Sequence, residues 1–99
     1  MAAIIELDPN IENELAQSCE WYEERSVGLG YRFLDCVDKC LSDLAKHPER
    51  YPIKMANYRE ARIAVFPYIV VYQYFKTENV VFVVNIFHGK RNPKAKYRR

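Results

Sequence analysis

Residues 80–87 read VVFVVNIF, an apolar run broken only by one asparagine and lacking the polar alternation of a half-exposed strand. A strand that is apolar on both faces needs cover on both. The run therefore predicts a central strand, with helices over one face of its sheet and another apolar surface on the other. A chain of 99 residues with 49% hydrophobic content supports one domain with one core, room enough for one sheet and a pair of helices.

The other elements arrange themselves around that strand. AIIEL, residues 3–7, is short and β-branched and ends at Asp8-Pro9, so it reads as a first strand. Asp8 as N-cap and Pro9 as first helical residue then open a helix, because proline's missing N–H costs nothing there. Its apolar stripe is Ile11, Leu15, Cys19 and Tyr22, and it runs to the loop SVGLG, where Gly28 and Gly30 permit a tight reversal. A second helix carries Phe33, Val37, Cys40, Leu41 and Leu44 on one face and stops by His47, since Pro48 disfavours helical geometry in the residue before it. After the loop HPERYP the period changes from helix to strand. ANYREARIAV, residues 56–65, sets Ala61, Ile63 and Val65 against Tyr58, Glu60 and Arg62. FPYIVVYQYF follows with Pro67 near its start, and KTEN turns the chain into the last strand, residues 80–88. The predicted fold class is α+β: an N-terminal strand, an antiparallel helix hairpin, and a three-stranded antiparallel meander forming one sheet with helices on one face.

Two helices cover only one face of a sheet. Tyr68, Tyr72 and Tyr74, with Val81, Val83 and Phe87 or their opposite-parity neighbours, are expected to leave an aromatic surface in need of cover. A partner, a homodimer or the chain's own C-terminal tail would each supply it.

Charge is divided along the chain. Residues 1–50 hold eleven acids against five Lys and Arg, and residues 51–99 hold ten Lys and Arg against two acids, balances of −6 and +8 within a net charge of +2. One reading is a face of positive potential suited to a polyanion or an acidic protein; the other is mutual neutralisation within the fold. No apolar run reaches the ~18 residues of a membrane span, and the N-terminus lacks a signal-peptide pattern, so a cytoplasmic protein is expected. Cys19, Cys36 and Cys40, an odd number, are read as free thiols and not as a disulfide framework. Cys36 and Cys40, one turn apart on a largely apolar helix, read as core and flank residues, and no zinc spacing or glycine-rich phosphate loop is present, so neither metal nor cofactor is expected. Glu20, Glu23 and Glu24 with Trp21 read as a solvated acidic helix surface, Trp21 being a possible contact residue.

Four stretches in this order, WYEERSVGLGYRFLD, HPERYP, REARIAVFPYIVVYQY and IFHGKRNPKAKYRR, cover almost the whole chain. Together they resemble the RelE/ParE superfamily of bacterial toxins, the FPY start of a strand and the H-G-x-R-x-P ending being the most specific parts. The resemblance implies the toxin of a type II toxin–antitoxin, or plasmid stabilisation, system, neutralised by a cognate antitoxin. Some relatives cut messenger RNA on the ribosome and others inhibit DNA gyrase. A non-toxic nucleic-acid- or protein-binding module of the same fold is the alternative.

Metal-free RNA cleavage needs a base for the 2′-OH, cations for the developing phosphorane charge and an acid for the leaving oxygen. By resemblance, Arg91 matches the family's phosphate-stabilising arginine, Tyr97 its C-terminal aromatic, and Lys90 and Arg59 lie in matching regions. Ile69 stands where ribosome-dependent relatives place a further catalytic arginine, and Arg62 on the neighbouring strand is the candidate substitute. His88, beside Lys90 and Arg91 at a strand end, is a candidate acid or base; the alternative is a histidine that bonds to backbone and fixes the strand exit. The remaining basic residues of the tail, Lys94, Lys96, Arg98 and Arg99, are candidates for binding partner or nucleic acid.

Overall fold

The computed structural model describes residues 1–90 of the chain. Its elements are β1 (Ile4–Leu7), α1 (Pro9–Arg25), α2 (Leu29–Lys46), β2 (Ile53–Met55), β3 (Tyr58–Arg62), β4 (Tyr68–Phe75) and β5 (Val80–His88). They form one mixed five-stranded sheet in the order β1-β5-β4-β3-β2. β1 runs parallel to β5, and every other neighbouring pair is antiparallel. The expected α+β architecture is present, and its meander gains one short strand, β2. The apolar strand is interior as expected, between β1 and β4.

Local chemistry explains the helix ends. The Asp8 carboxylate accepts from the Asn10 amide at 3.1 Å, with Pro9 in the first turn of α1. α2 begins differently. Its cap residue, Gly28, sits at φ 90° and offers no side chain, so the cap comes from the other helix: Glu23 accepts from the amides of Gly28 at 2.8 Å and Gly30 at 2.9 Å. Glu23 is therefore a structural clasp and not part of a solvated acidic surface. Gly30 is required for close packing, since a Cβ there would lie 2.5 Å from the Cys19 carbonyl oxygen.

The core lies between the helix hairpin and one face of the sheet. Ile11 and Tyr22 of α1 and Phe33, Val37 and Leu44 of α2 pack against Val70, Tyr72, Val81 and Val83. Tyr68, Tyr72 and Tyr74 belong to this side too, which corrects the expectation of an uncovered tyrosine surface. Their alternation along β4 turns all three rings toward the helices, and each hydroxyl reaches the core's rim to donate a hydrogen bond. Tyr68 bonds Ser18 Oγ at 3.1 Å, Tyr72 the Pro48 carbonyl at 2.9 Å and Tyr74 Asn79 Oδ1 at 2.8 Å.

A bulge decides which residues of β5 face which side. Val71 pairs with Asn85 but Tyr72 pairs with Val83, which leaves Val84 without a partner and reverses the facing of later residues. Val81, Val83 and Ile86 thus join the main core, while Val84 and Phe87 form a smaller cluster on the opposite face with Val71, flanked by Tyr58, Ile69 and Phe82.

β3 ends at Arg62, short of the expected residue 65. The Ile63 amide still donates to the Tyr68 carbonyl, and two tight turns follow, Phe66 to Ala64 and Tyr68 to Phe66, both 2.8 Å. Val65 between them takes φ 74° and is 69% exposed, so it does not continue the buried side of the strand.

Candidate functional site

The predicted site begins where β5 leaves the sheet. Tyr68 at the start of β4 lies opposite His88 at the end of β5, their rings edge-on at 5.3 Å. The Gly89 amide donates to the Pro67 carbonyl at 2.8 Å, and the Ile69 side chain lies close enough that a Cβ on Gly89 would meet its Cδ1 at 3.2 Å. The start of one strand thereby clamps the exit of the other. His88 Nδ1 accepts from the Lys90 amide at 3.2 Å, which requires that nitrogen unprotonated. Lys90 itself is exposed.

The remaining candidates separate in space and in role. Arg59 is turned to the loop before β2, donating to the Tyr51 carbonyl at 2.5 Å and the Glu49 carbonyl at 3.5 Å. The guanidinium thus holds the expected loop HPERYP in place before β2. Arg62, opposite Ile69 in the β3–β4 register, is exposed. Ile69 is partly buried and packs on the smaller apolar cluster. In the register Arg62 lies opposite Ile69, on the sheet face away from the helices, and His88 lies opposite Tyr68, on the helix face, with Gly89 against Ile69; Arg59, opposite Tyr72, is turned to the loop before β2. Arg91, Lys94, Lys96, Tyr97, Arg98 and Arg99 lie outside the described residues.

Sequence reasoning missed two features near the site. Tyr51 and Arg62 together line two adjoining clefts of about 420 and 300 Å³ at the end of β3, one on the α2 side and one beside Ile69. Trp21 stacks under the Arg25 guanidinium, 3.4 Å from the ring centroid, which occupies the face that the sequence offers as a contact. Among the described residues no group of three His, Cys, Asp or Glu is placed to hold a metal ion, and no helix is long and apolar enough to cross a membrane.

Comparison with known families gives a match over residues 5–93 to the ParE toxin of the type II toxin–antitoxin system, parDE. The chain belongs to the ParE toxin family. It is a toxin of a type II toxin–antitoxin system within the RelE/ParE superfamily. A search of curated proteins gave no match. Among solved structures, the toxin–antitoxin complex RelBE2 from Mycobacterium tuberculosis matches with a TM-score of 0.66 at 18% identity, over 89% of this chain and 99% of that one. The intact E. coli RelBE toxin–antitoxin complex matches with a TM-score of 0.63 at 20% identity, over 91% and 100%. E. coli RelE mutant bound to the antitoxin RelBc peptide matches with a TM-score of 0.57 at 21% identity, over 87% and 82%. These likenesses establish the fold that the ParE family chain shares with RelE toxins.

Proposed function

We propose that this ParE family toxin is neutralised by a cognate antitoxin and arrests growth by inhibiting DNA gyrase through binding, without cutting RNA. The observation that carries the reading is Ile69. Phosphoryl cleavage without a metal needs several positioned cations around one phosphate. At the strand position where ribosome-dependent relatives carry an arginine, this chain has an apolar side chain packed against Gly89. Two other candidates are engaged elsewhere: Arg59 holds the Tyr51 carbonyl, and His88 caps the turn to Lys90. A surface of this kind supports binding more readily than acid–base chemistry. The antitoxin part rests on the family and on the solved relatives, which are complexes of toxins with antitoxins.

The second reading is ribosome-dependent messenger cleavage, favoured by Arg91 and Tyr97 at their family spacing and by the exposed Arg62 next to Ile69. One induction experiment separates the two. Expression is induced, messenger 5′ ends are mapped and plasmid topology is read on gels. Altered supercoiling with intact messenger is expected. Cuts in translated messenger with normal topology would overturn gyrase inhibition in favour of the nuclease, and Arg91→Ala should then abolish most growth arrest. Unimpaired growth with both readouts unchanged would leave the non-toxic binding module.

A further inference from the structure

The three cysteines are free and half-buried, but their surroundings differ. Cys19 of α1 lies at the helix crossing, its Sγ 2.9 Å from where a Cβ on Gly30 would stand. Cys36 and Cys40, one turn apart on α2, both line the cleft of about 420 Å³ between α2 and the end of β3. Burial, aided by the Asp43 carboxylate, pushes the Cys40 thiol up to about 11. At neutral pH Cys40 therefore holds very little thiolate, and Cys36 is the nucleophile that the cleft presents.

The charges around it are unevenly satisfied. Asp35 is paired with Lys39 at 3.1 Å and Asp43 with Arg50 at 2.6 Å. Arg32, one turn before Cys36 on α2, and Arg62, on the β3 wall, are exposed and have no side-chain hydrogen bond or ion pair among the described residues. The carboxylates of this cleft are thus neutralised by partners, and two of its guanidiniums are not. Reactive cysteines are typically the partly exposed ones in electropositive surroundings. The volume falls in the range of small-molecule sites, roughly 300–1,000 Å³, and paired guanidiniums suit a ligand that carries carboxylates.

We infer that this cleft is a site of reversible thiol modification, in which Arg32 and Arg62 bind the carboxylates of a small disulfide and Cys36 forms a mixed disulfide with it. The Cys36 thiolate attacks one sulfur of the bound reagent. A bond forms between Cys36 Sγ and that sulfur, the reagent's own S–S bond breaks, and the departing half leaves as a thiolate that takes up the proton Cys36 gave to solvent. Cys36 is oxidised and the departing thiol is reduced, so the exchange needs no further oxidant. The arginines act by holding the disulfide beside the sulfur, which raises its effective concentration there. Cys40 resolves the adduct poorly, because attack on it requires the thiolate that burial withholds. The mixed disulfide therefore persists until an external thiol removes it. None of this depends on which cellular target the toxin has.

The test incubates the purified toxin at neutral pH with glutathione disulfide, which carries carboxylates, and in parallel with hydroxyethyl disulfide, which is uncharged. Adduct formation is followed by intact mass and located by peptide mapping. One glutathione per chain is expected, on Cys36, removable by dithiothreitol and absent in Cys36→Ser. Arg32→Ala and Arg62→Ala should each slow the glutathione reaction roughly three- to tenfold, between the worth of an exposed ion pair and that of a charge-assisted hydrogen bond, and should change the hydroxyethyl rate far less. Arg62→Lys should restore part of the loss, and Lys76→Ala, in the β4–β5 turn, should react as the wild type does. Melting temperatures of the arginine variants should match the wild type, since both side chains are exposed and without a partner among the described residues. Arginine variants that react at the wild-type rate, or that are slowed equally with both reagents, would overturn the site. So would a wild-type toxin that takes no glutathione, takes it first on Cys19 or Cys40, or closes an internal Cys36–Cys40 disulfide instead.

Discussion

Val65 holds the least comfortable backbone in the described chain. A left-handed conformation costs an L-residue about 1–2 kcal/mol, and a β-branched side chain adds crowding. Glycine adopts it freely but loses about 0.5–1 kcal/mol of chain entropy on folding, and the exposed valine contributes little burial. Val65→Gly should therefore raise stability by up to about 1 kcal/mol in urea unfolding. A drop in stability would mean that the valine side chain, and not the turn, sets this conformation. Two titratable groups, the buried Tyr72 and the half-buried Cys40, make the fold sensitive to alkaline pH. Burial pushes the Cys40 thiol from 9.0 up to about 11, aided by the Asp43 carboxylate. Burial likewise pushes the Tyr72 phenol from 10.0 up to about 12, with Arg59 opposing. In both cases the fold favours the protonated form, so their contribution is intact below the unfolded values and is lost as pH rises, between 9 and 11 for Cys40 and between 10 and 12 for Tyr72. Stability from these groups should be flat up to about pH 9 and decline above it. At pH 8 Cys40 should alkylate on the order of 100-fold more slowly than a free thiol, from its smaller thiolate fraction. Peptide mapping showing Cys40 labelled at the free-thiol rate would contradict its burial.

At the scale of elements, the helix hairpin is held where the helices come closest. Gly30 of α2 packs against the Cys19 carbonyl of α1, and its amide is bonded to Glu23. Alanine is the better helix former by about 1 kcal/mol, yet a backbone oxygen cannot rotate aside from a Cβ only 2.5 Å away. Forcing the helices apart disturbs Tyr22 and Phe33, whose rings stack at 5.2 Å within the core. Overpacking of this kind costs about 1–3 kcal/mol, so Gly30→Ala should destabilise despite its propensity gain. A thermal melt at or above the wild-type midpoint would show that the hairpin has slack. Sequence pattern revealed these elements unequally. The two helices were legible from their 3.6-residue stripes, Asp8-Pro9 and Pro48, and the interior place of β5 from its two apolar faces. β2 was not, because three residues, Ile53 to Met55, are too few to show a period, all three are exposed, and they are held only by pairing with Tyr58 and Arg59 of β3. The bulge at Val84 has no glycine to mark it, so sequence alone could not say on which face Phe87 lies.

Across the whole molecule, the charge division follows the layers. β1 and the helix pair come from the acidic half, and β2 to β5 come from the basic half. Lys90 lies at the exposed end of the sheet, whereas Arg62 shares a cleft with Asp35 and Asp43 of α2. The family was legible in sequence because its short motifs occur in order. The roles of the candidate residues were less so, because a basic residue's function depends on what it touches. Arg59 and Arg62 are three positions apart, yet one is bound to the Tyr51 carbonyl and the other has no side-chain partner among the described residues. This arrangement makes a prediction about assembly. An acidic antitoxin approaching a basic sheet surface should be steered by long-range attraction, which speeds encounter more than it deepens final affinity. Raising ionic strength shortens the screening length from about 10 Å at 0.1 M to about 3 Å at 1 M, so it should suppress steering and leave the dry apolar contacts in place. In stopped-flow mixing of the toxin with the proposed antitoxin, the association rate constant should fall by about tenfold or more over that range, and the dissociation rate constant should change far less. An association rate indifferent to salt would show that the positive surface plays no part in recognising the antitoxin. A dissociation rate that carried most of the salt effect would place the charges inside the finished interface, shifting its main holding force from apolar anchors to ion pairs.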